Sequence, residues 1–391
     1  MTTVCKYAIL FSRTGFPVQK DGRRLKKPTK QVRSNLLNAL LIFGTIGLVI
    51  YLGARNGDLT VSFQAIASAD FRWVAAAFGV WLLSLACEAL VNQVFFIQQH
   101  VHARFVDTMH ITLLGMFYSN VTPAATGGQP MQVFAFKKRG VPTGTSSSSL
   151  AVKFFCFQTA LLSLGAILWL VQPEFVAQSV EGGKWLILTG FFVNGISVCV
   201  VLLLAINRNI VRFLILLLLK LGKALHIVKD LAKSASRADA ALEDFRSSVD
   251  MITHHPLHVL VLLLISYVQV ILLMSAAYCV YRGLGLDGNS HLQLMTLQLL
   301  LFIATSFTPL PGASGAQEGG FYLFFDKLFP SDKLFAGLLL WRFCTYYITL
   351  LIGMASVIAE GTYAMRHGHK QEAQQDEAPA EETVESGGTE E

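Results

Sequence analysis

The apolar residues of this chain are gathered into blocks of about 20, the length of helix that crosses a ~30 Å hydrocarbon layer. The blocks run over 36–54, 71–97, 108–122, 147–171, 184–206, 257–281, 292–309 and 334–362. Only 14% of the 391 residues are charged, and mean hydropathy is +0.52. Soluble domains carry roughly 25% charged residues. The expected fold is therefore all-α, a polytopic transmembrane bundle with about eight membrane segments. A further run, "FLILLLLKLG" at 213–222, extends the fifth segment. The first block is preceded by 35 residues and followed by no small-residue cleavage site, so it reads as a retained helix rather than a signal peptide.

Two of these blocks are interrupted. "SNVTPAATGGQP" at 119–130 and "SFTPLPGASGAQEGG" at 306–320 place Thr-Pro, glycines and polar side chains where lipid-facing helix would be expected. Unpaired backbone groups cost several kcal/mol each in hydrocarbon, so irregular backbone survives only inside protein or beside a watery cavity. The breaks mark a site.

Charge sets the expected orientation. Residues 1–35 carry nine Lys/Arg and one Asp, and residues 207–256 carry eight Lys/Arg against five acids. The loops 55–70, 172–183 and 282–291 hold one basic residue at most. The positive-inside rule then puts both termini in the cytoplasm of a cell-membrane protein. The cluster Lys137-Lys138-Arg139 belongs on the same face. It stays there if 108–122 dips in, breaks at Thr122-Pro123 and returns through 129–136. A second broken hairpin over 292–327, entering from the outer face, would make the arrangement inverted. Paired Gly/Pro-interrupted segments are the sequence sign of a transporter's midplane site.

Outside the bundle, residues 1–35 form a basic cytoplasmic segment suited to anionic lipid. Residues 220–255 place Leu221, Leu225, Val228, Leu231, Ala235, Ala238, Leu242, Phe245, Val249 and Ile252 on one stripe of an amphipathic helix. From Arg366 the tail has eight acids and two basic residues with almost nothing apolar, so 363–391 is expected to be disordered.

Most catalytic chemistries are absent. The six cysteines form no C-x-x-C and read as small buried hydrophobes. The histidines at 254, 255, 258, 367 and 369 lack companion ligands, so no metal is expected. No G-x-x-x-x-G-K-[ST] loop is present, which excludes a phosphate-loop pump, and "GTSSSS" at 144–149 reads as a helix start. No cofactor is expected, and direct contact with nucleic acid is not.

Charges inside apolar blocks remain, and each needs a reason. Glu88 has Asn92 one turn on, and Lys153 sits near the start of the fourth block. Glu318 follows the second break, and Arg342 precedes Tyr346 and Tyr347 in the last block. Glu318 and Arg342 are expected to pair. The candidate ligand-binding set is Thr122, Pro123, Gly127, Gly128, Pro130, Lys153, Pro311, Gly312, Gly315, Glu318, Arg342 and Tyr346. Glycine loops before helix N-termini favour an anion such as a lipid phosphate.

The blocks "TPAATGGQPMQVFAFKKRGVP" (122–142), "PLPGASGAQEGGF" (309–321) and "LLLWRFCTYYITLLIG" (338–353) also resemble those of the lysylphosphatidylglycerol synthase transmembrane-region family, the flippase-like membrane half of MprF proteins. The likeness covers about residues 36–362. Gly127, Gly128 and Pro130 match its Gly-Gly-x-Pro block. Pro311, Gly312, Gly315 and Glu318 match its later Gly-rich block, and Arg342, Tyr346 and Tyr347 its Arg-x-x-x-Tyr-Tyr element. One departure is Ala313, where a second glycine is frequent. The resemblance implies movement or presentation of an anionic or aminoacylated lipid between leaflets. Full-length members also carry a cytosolic domain that transfers lysine from lysyl-tRNA to phosphatidylglycerol. Here the acidic tail stands in its place, so the chain is not expected to be that enzyme by itself. A membrane subunit working with a separate transferase is the second expectation, and a non-transporting partner protein the third.

Overall fold

The computed structural model describes residues 59–206 and 256–360, together with Phe213. The 36–54 segment, the 220–255 stripe and both termini lie outside the described residues. Every regular element described is helical: α1 (Leu59–Ala67), α2 (Phe71–Gln98), α3 (Phe105–Val121), α4 (Gly128–Lys138), α5 (Thr143–Val171), α6 (Pro173–Ser179) and α7 (Lys184–Ile206) precede α8 (Pro256–Gly283), α9 (His291–Thr305), α10 (Ala316–Phe325) and α11 (Ser331–Glu360). Five of these, α2, α5, α7, α8 and α11, are long and apolar enough to cross a membrane. Large apolar side chains also face outward, among them Leu170 (80% exposed), Trp185 (77%) and Phe192 (70%). Water would penalise such a surface, whereas lipid tails match it.

Of the described residues, 59–206 and 256–353 belong to one compact unit. Within it, helix ends follow local chemistry. Asp70 caps α2 by accepting from Arg72 N at 2.9 Å. Ser290 caps α9 reciprocally with Gln293, and GTSSSS opens α5 as its composition predicts. Helix α3 stops at Thr122 because Pro123 forces the preceding residue into extended conformation (φ −109°, ψ 144°). Leu310 is extended before Pro311 for the same reason.

The chain repeats one plan. A 28-residue helix (α2, then α8) leads to a shorter one (α3 of 17 residues, α9 of 15), and a three-residue turn follows. A short helix (α4 of 11, α10 of 10) then returns to a long one (α5 of 29, α11 of 30). At ~1.5 Å per residue, α4 and α10 are about 16 and 15 Å long, half of what a full crossing requires. Helices α2 and α8 pack along each other as the most extensive pair described. The two turns, Pro123–Ala125 and Pro311–Ala313, meet, and Ala124 N donates to Pro309 O across them at 3.0 Å.

Each returning helix is anchored by aromatic packing. Phe136 of α4 meets Phe96 of α2 edge-on at 4.9 Å. Phe321 of α10 stacks on Phe325 at 4.5 Å and on Trp341 of α11 at 5.3 Å. Small residues let the first hairpin close: a Cβ at Gly128 would collide with Ser119 Oγ on α3. Polar side chains tie helices across the interior. Asn194 of α7 accepts from Gln158 of α5 at 2.7 Å and donates to Ser306, just beyond α9, at 2.7 Å.

Candidate functional site

The two breaks share a sequence register that the separate reading of each one missed. Aligning Pro123 with Pro311 sets P-A-A-T-G-G-Q (123–129) on P-G-A-S-G-A-Q (311–317), with identities at Pro, Ala, Gly and Gln. The backbones agree. Ala124 (φ 51°, ψ 29°) matches Gly312 (φ 60°, ψ 21°), and Ala125 (φ 54°) matches Ala313 (φ 49°). Thr126 and Ser314 then close their turns alike, each donating N–H and hydroxyl to the turn's first proline carbonyl. Three alanines held in left-handed conformation are costly for side-chain-bearing residues, and such backbone concentrates at functional sites.

Beyond the turns the halves diverge. In the second, Gly315 (φ 85°) starts α10, and its N–H donates to Glu318 Oε2 at 2.6 Å. Arg342 Nη2 lies 2.7 Å from Glu318 Oε1, and Nη1 donates to Gln317 Oε1 at 2.8 Å. Both charged residues are 2% exposed, so the expected pair is present and fully buried. The guanidinium also sits over the Tyr346 ring, 5.0 Å from its centroid, and beside Trp341. Immediately after Arg342, α11 widens into π-helix over Phe343–Tyr347. Such bulges often mark functional sites, and here one sets the stagger of Arg342 and Tyr346.

In the first half, the Gly127 N–H donates to Thr122 Oγ1 at 2.9 Å, and that hydroxyl donates to Tyr118 O at 2.6 Å. Thr122 is thus spent on the turn. Lys153 Nζ pairs with Glu88 Oε1 at 2.7 Å and donates to Gln132 Oε1 at 3.3 Å. Asn92, one turn beyond Glu88, accepts from Ser149 at 2.9 Å.

Between the halves lies a cavity of about 420 Å³, within the size range of small-ligand sites. Its walls carry Lys153 from one half and Arg342 from the other, with Glu88, Gln129, Gln132 and Gln317 beside them. Aromatic walls come from Trp81, Phe154, Phe157, Phe302, Trp341 and Tyr346. Of the residues expected from sequence, Gly128, Lys153, Gly312, Arg342 and Tyr346 line it. Glu318 and Gly315 stand directly behind Arg342. Thr122, Pro123, Gly127 and Pro311 shape the turns, and Pro130 is exposed on α4 outside the lining. Glu88, Gln269 and Gln298 are lining residues absent from the expected set. The side-chain oxygens of Gln269 and Gln298 are buried with no hydrogen-bond partner, as are Arg342 Nε and Nη2, the latter meeting Glu318 as an ion pair without hydrogen-bond alignment. Residues lining the cavity therefore hold unspent donor and acceptor capacity.

These features define a multi-pass membrane protein with two broken helical hairpins and a charged cavity at their tips. Comparison with known proteins gives the family. The chain belongs to the family described as the lysylphosphatidylglycerol synthase TM region, whose model matches residues 36–353. It is also 28% identical over 272 residues to a UPF0104 membrane protein of Archaeoglobus fulgidus, covering 65% of this chain and 76% of that one.

Proposed function

We propose that this protein translocates phospholipid between leaflets, holding the headgroup in the cavity while the acyl chains stay in the bilayer. On this reading the hairpins α3–α4 and α9–α10 are re-entrant and enter from opposite faces, both termini being cytoplasmic. The tips then meet near mid-depth, where a headgroup changes sides. The observation that carries the reading is one cavity walled by a buried cation from each half, Lys153 and Arg342. A phosphodiester supplies the anion those cations suit. Hydroxyl or ammonium groups of a glycerol or aminoacyl headgroup suit the unspent amide oxygens of Gln269 and Gln298. An anionic or lysylphosphatidylglycerol-like phospholipid combines both chemistries.

The family's description supports a second reading, in which the chain is the membrane component of a lysylphosphatidylglycerol synthase and a separate transferase supplies the aminoacyl step. Reconstitution separates the two. In liposomes with fluorescent phosphatidylglycerol and external dithionite, the wild type alone is expected to expose inner-leaflet lipid. Arg342→Lys keeps the charge but loses the planar fork, so exchange is expected to fall about tenfold. No exchange beyond empty liposomes with any phospholipid would reject the translocase and favour the synthase subunit or a non-transporting partner role.

A further inference from the structure

The charges around the cavity sum to zero, because Glu88 faces Lys153 and Glu318 faces Arg342. An incoming anion must therefore compete for a cation that already has a carboxylate. The competition is concentrated at Glu318. Its two oxygens engage the Gly315 N–H at the start of α10 and Arg342 Nη2, a helix N-terminus and a guanidinium being the two groups best suited to a phosphate oxyanion. The Nε of that guanidinium, on a residue 2% exposed at the cavity wall, has no acceptor. The carboxylate thus satisfies part of an anion seat that has donors to spare.

The other half supplies the contrast. By the Pro123/Pro311 register, Glu318 corresponds to Pro130, and the equivalent N–H, at Gly127, is met by the neutral Thr122 hydroxyl. Only the second break carries an anion of its own. Resting on the translocase reading, we propose that Glu318 is a stand-in anion: a phosphate oxyanion of the headgroup displaces its carboxylate from Arg342 and the α10 N-terminus, and the carboxylate reclaims them when the lipid leaves. Glu318 is then a competitor of the ligand, and its negative charge weakens binding while speeding release.

The test is binding by the purified full-length protein in micelles, read by the fluorescence of tryptophans such as Trp81 and Trp341 on the cavity wall. Short-chain phosphatidylglycerol is one probe and inorganic phosphate the other. Removing a like charge from the seat is expected to tighten phosphatidylglycerol binding about tenfold in Glu318→Gln, while exchange in liposomes slows because release is slowed. Glu318→Ala opens the seat, so added formate is expected to compete with the lipid in that variant and not in the wild type. This second variant decides the matter if Glu318→Gln proves unstable. Equal or weaker lipid binding in Glu318→Gln, with wild-type exchange intact, would overturn the stand-in role and leave the translocase standing. Tighter binding of inorganic phosphate with no effect on the lipid would keep the seat but assign it to the free ion, overturning the headgroup. Failure of wild-type exchange with every phospholipid would instead strike the translocase reading itself.

Discussion

Arg342→Ala is expected to destabilise the protein by about 3–5 kcal/mol, the cost of stranding one partner of a buried ion pair. Glu318 is 2% exposed and loses its paired cation, and the substitution also removes the donor to Gln317 and the cation over Tyr346. The double variant Glu318→Leu/Arg342→Met is expected to regain most of this loss, because well-packed apolar replacements of buried pairs are often neutral or stabilising. It should nevertheless exchange no lipid. Unfolding in micelles measures the first effect and liposome exchange the second. A double variant that transports would mean the pair only holds the bundle together. A stable, inactive double variant separates the pair's chemistry from its contribution to the fold.

Gly312→Val should be the most damaging change in the turns. Gly312 sits at φ 60°, and a Cβ there would collide with the Tyr346 ring. The left-handed backbone costs roughly 1–2 kcal/mol with a side chain present, and overpacking adds about 1–3 kcal/mol. Adding Tyr346→Ala is expected to relieve the steric share and leave the backbone share, giving a coupling of about 1–3 kcal/mol between the two sites. Gly79→Ala on α2, where a Cβ meets nothing within 4 Å, is the control and should be close to neutral. A Gly312→Val loss unchanged by Tyr346→Ala would show that the ring moves aside freely.

The long helices were legible because an apolar block about 20 residues long has few alternatives to a membrane helix. Glu318 and Arg342 were legible as a pair because each is too costly alone in an apolar setting. Lys153 was equally conspicuous, yet its partner Glu88 lies 65 positions away, and spacing along the chain says nothing about which helices become neighbours. Thr122 shows the reverse case. A hydroxyl beside a glycine turn suits a ligand, but here it caps Gly127 and bonds to Tyr118. The register between 123–129 and 311–317 was present in the sequence all along. It was hidden because the Thr-Pro pairs at 122–123 and 308–309 draw the eye to an alignment two residues away from the one the backbones share. The π-helical stretch after Arg342 has no sequence signature in "FCTYY".

The central claim is that two broken hairpins enter from opposite faces and meet at the cavity. Side-specific labelling of single cysteines with a membrane-impermeant maleimide tests it most directly, on a background lacking the six native cysteines. His102 and Lys137 flank the first hairpin, and Asp287 and Ser331 flank the second; all four are exposed. Cysteines at 102 and 137 are expected to label together from one face, and those at 287 and 331 together from the other. Labelling of 102 and 137 from opposite faces would make α3–α4 a full crossing and contradict the claim.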